Sequence, residues 1–458
     1  VLSDAIGSVQ EPLLSQGYAL AQSTLNDFGT NCNDRLSAET LSMVKEYFIK
    51  RYGNPVHTIG TGGSGGAMQL HLIAQNYPGL LDGIIPMGSF PDVVTYLQWE
   101  ADSNLLIDAL QASRQSWTAG QKTAVLGYAT WYQRRNRKDE GASCDSSIPI
   151  EWRYQRTANP NGVRCNEYDN EVNVFGRNPH TGFAWRPFDN VGVQYGIRAL
   201  NRGEISTEQF IELNERVGGF DPQGAPSTSR AEADPEAVRL VYERGLLLRR
   251  GEGLSEIPII DWRAYSDDLG GSVDGHFRFL SFVTRARLLA ANGRTDNQVI
   301  LVDPRESWFD WVGFRGASHF WGPVGQLVPE MDRWLDHIDL DQERGSRAEK
   351  IVRDKPPSLA DSCMTLDGER IIEPASVDGV GRCNAIYPSH ADPRLVAGAP
   401  LSDDILKCAL KPIKMADYAQ SLTEAQLIRL QAVFPKGVCD YTQPGIGQSV
   451  TWKTWQRF

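Results

Sequence analysis

Gly62-Gly63-Ser64-Gly65-Gly66 stands between an apolar stretch, Pro55-Val56-His57-Thr58-Ile59-Gly60, and a run with helical character from Ala67 to Tyr77. The pattern predicts strand, tight turn and helix, in that order. Glycines on both sides of one serine let a strand and a helix pass at close range, and let the turn take backbone angles that side chains resist. A serine held there is lifted clear of the sheet edge. The amide of Gly65 would then open the helix, where unpaired N–H groups and the helix dipole favour a developing negative oxygen. A phosphate-cradling loop is excluded, because no Lys-Ser or Lys-Thr follows the glycines. Ser64 is the candidate nucleophile and Gly65 the candidate oxyanion donor.

Strand and helix signals alternate around this turn. Leu2 to Ser15 reads as a helix and Gly17 to Ser23 as a strand; a helix capped by Ser37 then carries Leu41, Val44, Tyr47 and Phe48 at helical spacing and stops at Gly53. Gly83 to Met87, Ile257 to Trp262 and Gln298 to Val302 are further short apolar strands, with an amphipathic helix from Phe277 to Leu289 and another from Val324 to Leu335. Such alternation predicts an α/β fold, a doubly wound, mostly parallel sheet with helices on both faces and ligands at the carboxyl ends of its strands. Between Ser89 and Gly253 the alternation stops and tryptophan-rich, polar helical sequence takes over. Residues 1–88 and 254–340 are therefore expected to form the core, 89–253 an inserted, mainly helical lid, and 341–458 a C-terminal extension entered through a charged, linker-like stretch from Asp341 to Pro357.

At 458 residues the chain exceeds one ordinary domain, and its net charge of −11 argues against a nucleic-acid surface. No apolar stretch is long enough for a membrane-spanning helix. The seven cysteines lack CxxC spacing, so disulfides are expected in place of a zinc or redox motif; sequence order suggests Cys144 with Cys165, Cys363 with Cys383 and Cys408 with Cys439, with other pairings of these six left open and Cys32 left over. The cysteine usage leads to the expectation of a secreted or periplasmic setting, and a first residue that is Val1 and not Met to that of a processed or truncated chain. The absence of any Asn-x-Ser/Thr acceptor sits more easily with a bacterial source.

A serine hydroxyl is a weak nucleophile near neutral pH and needs an imidazole to take its proton, usually with a carboxylate to orient that imidazole. Of seven histidines, His319 is the one placed after the last predicted core strand and before the last core helix, where a base can reach down onto the serine. The acid should come from the loop after the preceding strand. Asp267 is the best placed, with Asp268 and Asp274 as rivals. Trp308, Trp311, Phe314, Phe320 and Trp321 flank His319 and suggest an apolar or aromatic acyl pocket. No cofactor is expected, and no metal beyond a structural Ca²⁺ at most, since His71 has no second histidine at ligand spacing.

With the elbow, Asp267 and His319 in place, the chain resembles the α/β-hydrolase superfamily. Within it, Tyr77-Pro78-Gly79-Leu80-Leu81-Asp82-Gly83-Ile84-Ile85-Pro86 resembles the tannase and feruloyl esterase family. In that family, cysteines before the serine and after the histidine form a disulfide; here those positions are Gly63 and Phe320. The resemblance implies a serine esterase acting on a small or polymeric ester through an acyl-enzyme, with acyl transfer or amide cleavage as variants of the same chemistry. A non-catalytic binding protein on the same scaffold is the reading from another class. The fold also implies strands ahead of Tyr18, so an N-terminal segment or second chain is expected to complete the sheet and the oxyanion hole.

Overall fold

The computed structural model describes residues 12–26, 33–129, 147–153, 155, 158–163, 172–180, 182–221, 226–249, 252–268, 275–304 and 323–448. Helix α1, Asp34–Tyr52, precedes strand β1, Ile59–Gly63, which runs through the serine turn into α2, Gly65–Asn76. Strand β2 is Gly83–Met87. A long, largely helical stretch follows, with α3, Val93–Gln111, α4, Ala119–Leu126, α5, Thr207–Val217, and α6, Pro235–Glu243. Then come β3, Ile259–Ala264, α7, Phe279–Asn292, β4, Gln298–Asp303, and α8, Val324–Leu340.

The four strands lie side by side in chain order and are all parallel. Ile59 faces Gly83 across the first pair, and Ile259 faces Gln298 across the third. Parallel neighbours require crossovers, and the helices that make them cover the sheet. Because strand side chains alternate, Ile84 and Ile259 join Leu70, Ile73, Leu288 and α1's Ala38 on one face. Ile85, Met87, Ile260 and Trp262 face the other way, against Val328, Met331, Trp334 and Leu335 of α8. A mixed α/β fold with a mostly parallel central sheet is thus established.

Three expectations change. Gly17–Ser23 pairs with no described strand; Tyr18 instead packs at the edge of the α8 core and its hydroxyl donates to Asp332 at 3.0 Å. Helix α1 is capped by Asn33, whose Oδ1 accepts from the Leu36 amide at 3.1 Å, so Ser37 lies inside the helix. The linker-like stretch carries a helix, α9, Arg347–Arg353, capped by Ser346 in a reciprocal box with Glu349. Its Ile351 is fully buried and that residue's carbonyl accepts from the Trp334 indole at 2.8 Å, which ties it to α8.

Beyond α9, β5, Ser362–Met364, extends the sheet parallel to β4, and β6, Arg370–Ile372, returns antiparallel to it. Disulfide Cys363–Cys383 joins the middle of β5 to a short helix, Arg382–Ile386, that follows β6. Residues 395–439 share one core with α3, α4 and α5, in which Leu395, Leu430, Phe434 and Val438 pack with Leu106, Phe210 and Leu213. Disulfide Cys408–Cys439 sits beside a short antiparallel pair, β7, Leu410–Lys411, and β8, Val438–Cys439. Both expected C-terminal disulfides are therefore present. Cys32, Cys144 and Cys165 lie outside the described residues. No helix among the described residues is long and apolar enough to cross a membrane.

Candidate active site

The serine turn is as tight as its sequence requires. Ser64 has φ 54° and ψ −113°, one of two described non-glycine residues with positive φ. Its amide donates to the Met87 carbonyl at 3.0 Å, anchoring the turn to the end of β2, while its own carbonyl receives the amides of Ala67 and Met68. The strain is held by its surroundings: β1 cannot shift without breaking its register with β2, and α2 is buried along its length from Ala67. Gly65 opens α2, so its amide has no carbonyl one turn earlier in the helix and points from a positive helix end.

Gly62 has a measurable steric role. A Cβ built there would lie 2.9 Å from the carbonyl carbon of Gly66 and 3.0 Å from its oxygen, both backbone atoms that cannot swing aside. Gly62→Ala is accordingly expected to lower the unfolding free energy by about 1–3 kcal/mol, as overpacking does elsewhere. Chemical denaturation read by tryptophan fluorescence checks this; an unchanged midpoint would show that the strand and helix can separate at no cost.

Asp267 and Asp268 follow the end of β3, at the same carboxyl edge of the sheet as Ser64. Asp267 is buried, 4% exposed, and both its oxygens accept from the Arg278 amide, at 2.9 and 3.1 Å. The His390 backbone amide is a further donor to the same carboxylate. Burial pushes its pKa up to about 6, opposed by the charge of Arg263, the Arg278 amide and His390. Asp268 is more open: one oxygen meets His390 Nε2 at 2.7 Å and the other accepts from the Tyr265 hydroxyl at 2.7 Å. Of the two, Asp267 has the enclosed setting suited to orienting a base. His319, Asp274, Trp308, Trp311, Phe314, Phe320 and Trp321 lie outside the described residues.

Aromatic side chains gather at this edge. Phe90, just past β2, sits 5.1 Å from the ring of His276 and 5.3 Å from that of Tyr96. Trp99, Tyr128 and Phe277 continue the aromatic wall, with the Tyr128 and Phe277 rings stacked at 5.0 Å. These rings are core members packed with Met68 of the serine helix, which makes the neighbourhood of the elbow apolar. His71 faces the interior, where its Nδ1 donates to the Phe90 carbonyl at 3.1 Å and burial lowers its pKa. Nearby, Arg263 is fully buried in β3 and donates to the carbonyls of Ser89, His276 and Phe277.

Among the described residues, His57, Asp332 and Asp336 lie close enough together to share a metal ion. His57 precedes β1, seven residues before Ser64 and roughly 20 Å from it along an extended chain. Its two ring nitrogens already meet Asp332 at 2.6 Å and Asp339 at 3.3 Å. Burial works against the charged ring, but hydrogen bonds to both carboxylates outweigh it and raise the His57 pKa. These contacts join the entry of β1 to α8.

No curated protein and no solved structure matches the chain. A family model does, over residues 3–450, which takes in the serine turn, the loop after β3 and both C-terminal disulfides. The chain belongs to the tannase-like family of unknown function, DUF6351.

Proposed function

We propose that the protein is a secreted serine esterase on an α/β-hydrolase core, with residues 89–253 as its lid and 341–458 as an extension. The observation that carries this reading is Ser64 itself: a serine at φ 54°, between a parallel strand and a helix, with the helix's first amide beside it. Backbone strain of this kind costs about 1–3 kcal/mol and persists where a function needs the geometry. The tannase-like relationship points to the same chemistry, and the two disulfides fit an oxidising, extracellular setting.

In this mechanism His319 takes the proton from Ser64 Oγ as that oxygen attacks the ester carbonyl. The carbonyl oxygen becomes an oxyanion that accepts from the Gly65 amide. Collapse breaks the ester C–O bond, and His319 passes its proton to the departing alkoxide, which leaves as an alcohol. Water, deprotonated by the same imidazole, then releases the acid and restores Ser64. Asp267 holds His319 in the tautomer that presents its free nitrogen to the serine. The aromatic residues flanking the base, Trp308, Trp311, Phe320 and Trp321, with Phe90 behind the elbow, would form an apolar acyl pocket.

Hydrolysis of p-nitrophenyl esters of increasing acyl length tests the reading. Turnover by the wild type and none by Ser64→Ala is expected, with the rate peaking at the acyl length the pocket accommodates. Equal turnover by both proteins would remove Ser64 from the chemistry.

A further inference from the structure

Two loops at the carboxyl edge of the sheet must be held at a fixed separation if Ser64 and Asp267 are to act on one imidazole. The first leaves β2: Ser64 is anchored on the Met87 carbonyl at 3.0 Å, and Ser89 comes two residues later. The second leaves β3 and returns through His276 and Phe277 to Arg278, whose amide binds the Asp267 carboxylate at 2.9 and 3.1 Å. One side chain spans them. Arg263 Nη2 donates to the Ser89 carbonyl at 2.9 Å and to its hydroxyl at 3.4 Å; Nη1 donates to the His276 and Phe277 carbonyls, each at 2.7 Å. Nε donates to the Ser281 hydroxyl at 3.1 Å, in the first turn of α7. All five guanidinium donors are used, and the residue is fully buried.

Building on the esterase reading, we propose that Arg263 is the positioning residue that couples the nucleophile to its acid. The connection runs from Ser64 through Met87 and Ser89 to Arg263, and from Arg263 through Phe277 and the Arg278 amide to Asp267. The planar fork is what makes this possible: two separate loops are held by donors fixed in one plane, which a lysine ammonium cannot reproduce. A second consequence follows from charge. Asp267 is faced by Arg263 from the strand that precedes it, by Arg278 from the start of α7, by His390 from the C-terminal region, and by its chain neighbour Tyr265. Of the charged groups, Arg263 does most to keep the buried carboxylate ionised.

The test compares wild type, Arg263→Lys and Arg263→Met by thermal unfolding, by the rate at which a fluorophosphonate labels Ser64, and by the pH profile of kcat/KM for a p-nitrophenyl ester. Arg263→Lys should label and turn over about 10–100-fold more slowly, since about 1 Å of misplacement costs on that order. Its acid limb should stay in place. Arg263→Met should lose more and move the acid limb to higher pH, because Asp267 then keeps its proton longer; a purely structural role would lower the unfolding temperature without moving the limb. Folded Arg263→Met with the wild-type rate and limb overturns the proposal. Should methionine prevent folding, Arg263→Lys decides, and a wild-type labelling rate there overturns it equally. Absence of labelling in the wild type would instead overturn the serine-esterase reading on which the proposal rests.

Discussion

Ser64→Gly is expected to abolish ester hydrolysis and at the same time raise the unfolding temperature. The loss follows from removing the nucleophile: where a serine, its base and its acid act as a unit, deleting the serine costs up to about 10⁶-fold in kcat. The gain follows from the backbone. At φ 54° and ψ −113° a Cβ is under strain that glycine does not feel, so replacing serine should return about 1 kcal/mol after glycine's larger chain entropy is subtracted. Ser64→Ala separates the two effects, because it loses the hydroxyl but keeps the Cβ. It should be equally inactive without the gain in stability. Paired kinetic and calorimetric measurements check this; a glycine variant no more stable than the alanine variant would mean that the turn carries no strain.

Asp267→Asn is expected to lower kcat by about 10⁴-fold, the size of effect seen when an asparagine leaves the triad geometry intact but fixes the wrong histidine tautomer. Its effect on stability should depend on pH in a definite direction. Burial raises the Asp267 pKa from 3.8 to about 6, so the fold favours the neutral carboxyl. This contribution is fully present below pH 4 and is lost as pH rises through 6, where ionisation inside the protein becomes costly. Asparagine resembles the neutral form and still accepts from the Arg278 amide. Wild type and variant should therefore be equally stable near pH 3.5, and the variant should gain up to roughly 3 kcal/mol above pH 7. For wild-type kcat/KM, an acid limb near pH 6 is expected, belonging to the acid and base as a coupled pair. A variant whose relative stability does not change between pH 3.5 and 8 would contradict the burial of an ionised Asp267.

Much of this site was legible because the serine turn is local. The glycine pattern, a following helix and a strand before it require only a few consecutive residues, and the observed β1, α2 and β2 lie within a few residues of where the pattern places them. The place of Asp267 just past β3 was legible for the same reason, since it is counted from the end of an apolar strand. What the sequence hid was non-local. Arg263 reads as a charge interrupting a buried strand, and Asp261 beside it does the same. Only the fold reveals that Arg263 spans two loops and that Asp261 accepts from the Ser89 hydroxyl at 2.9 Å and from Gln298 at 3.1 Å. Those two polar residues in Ile259–Ala264 were nevertheless a usable signal, because a strand covered on both faces is expected to be almost wholly apolar.

Gly17–Ser23 failed for a complementary reason. Its apolar residues fit a strand, but a strand exists only where a neighbour supplies hydrogen bonds, and Tyr18 is used instead for packing and for its contact with Asp332. The C-terminal cysteines were paired correctly by proximity in sequence, whereas the extension of the sheet by β5 and β6 could not be foreseen from strands of three residues each.

The central claim is that Ser64 is an activated nucleophile, and the direct test is to treat the purified protein with a fluorophosphonate and locate the adduct by peptide mass spectrometry. A single adduct on Ser64 is expected, absent from Ser64→Ala and slowed in Asp267→Asn. No adduct on the folded wild type, or one on another serine that persists in Ser64→Ala, would contradict it.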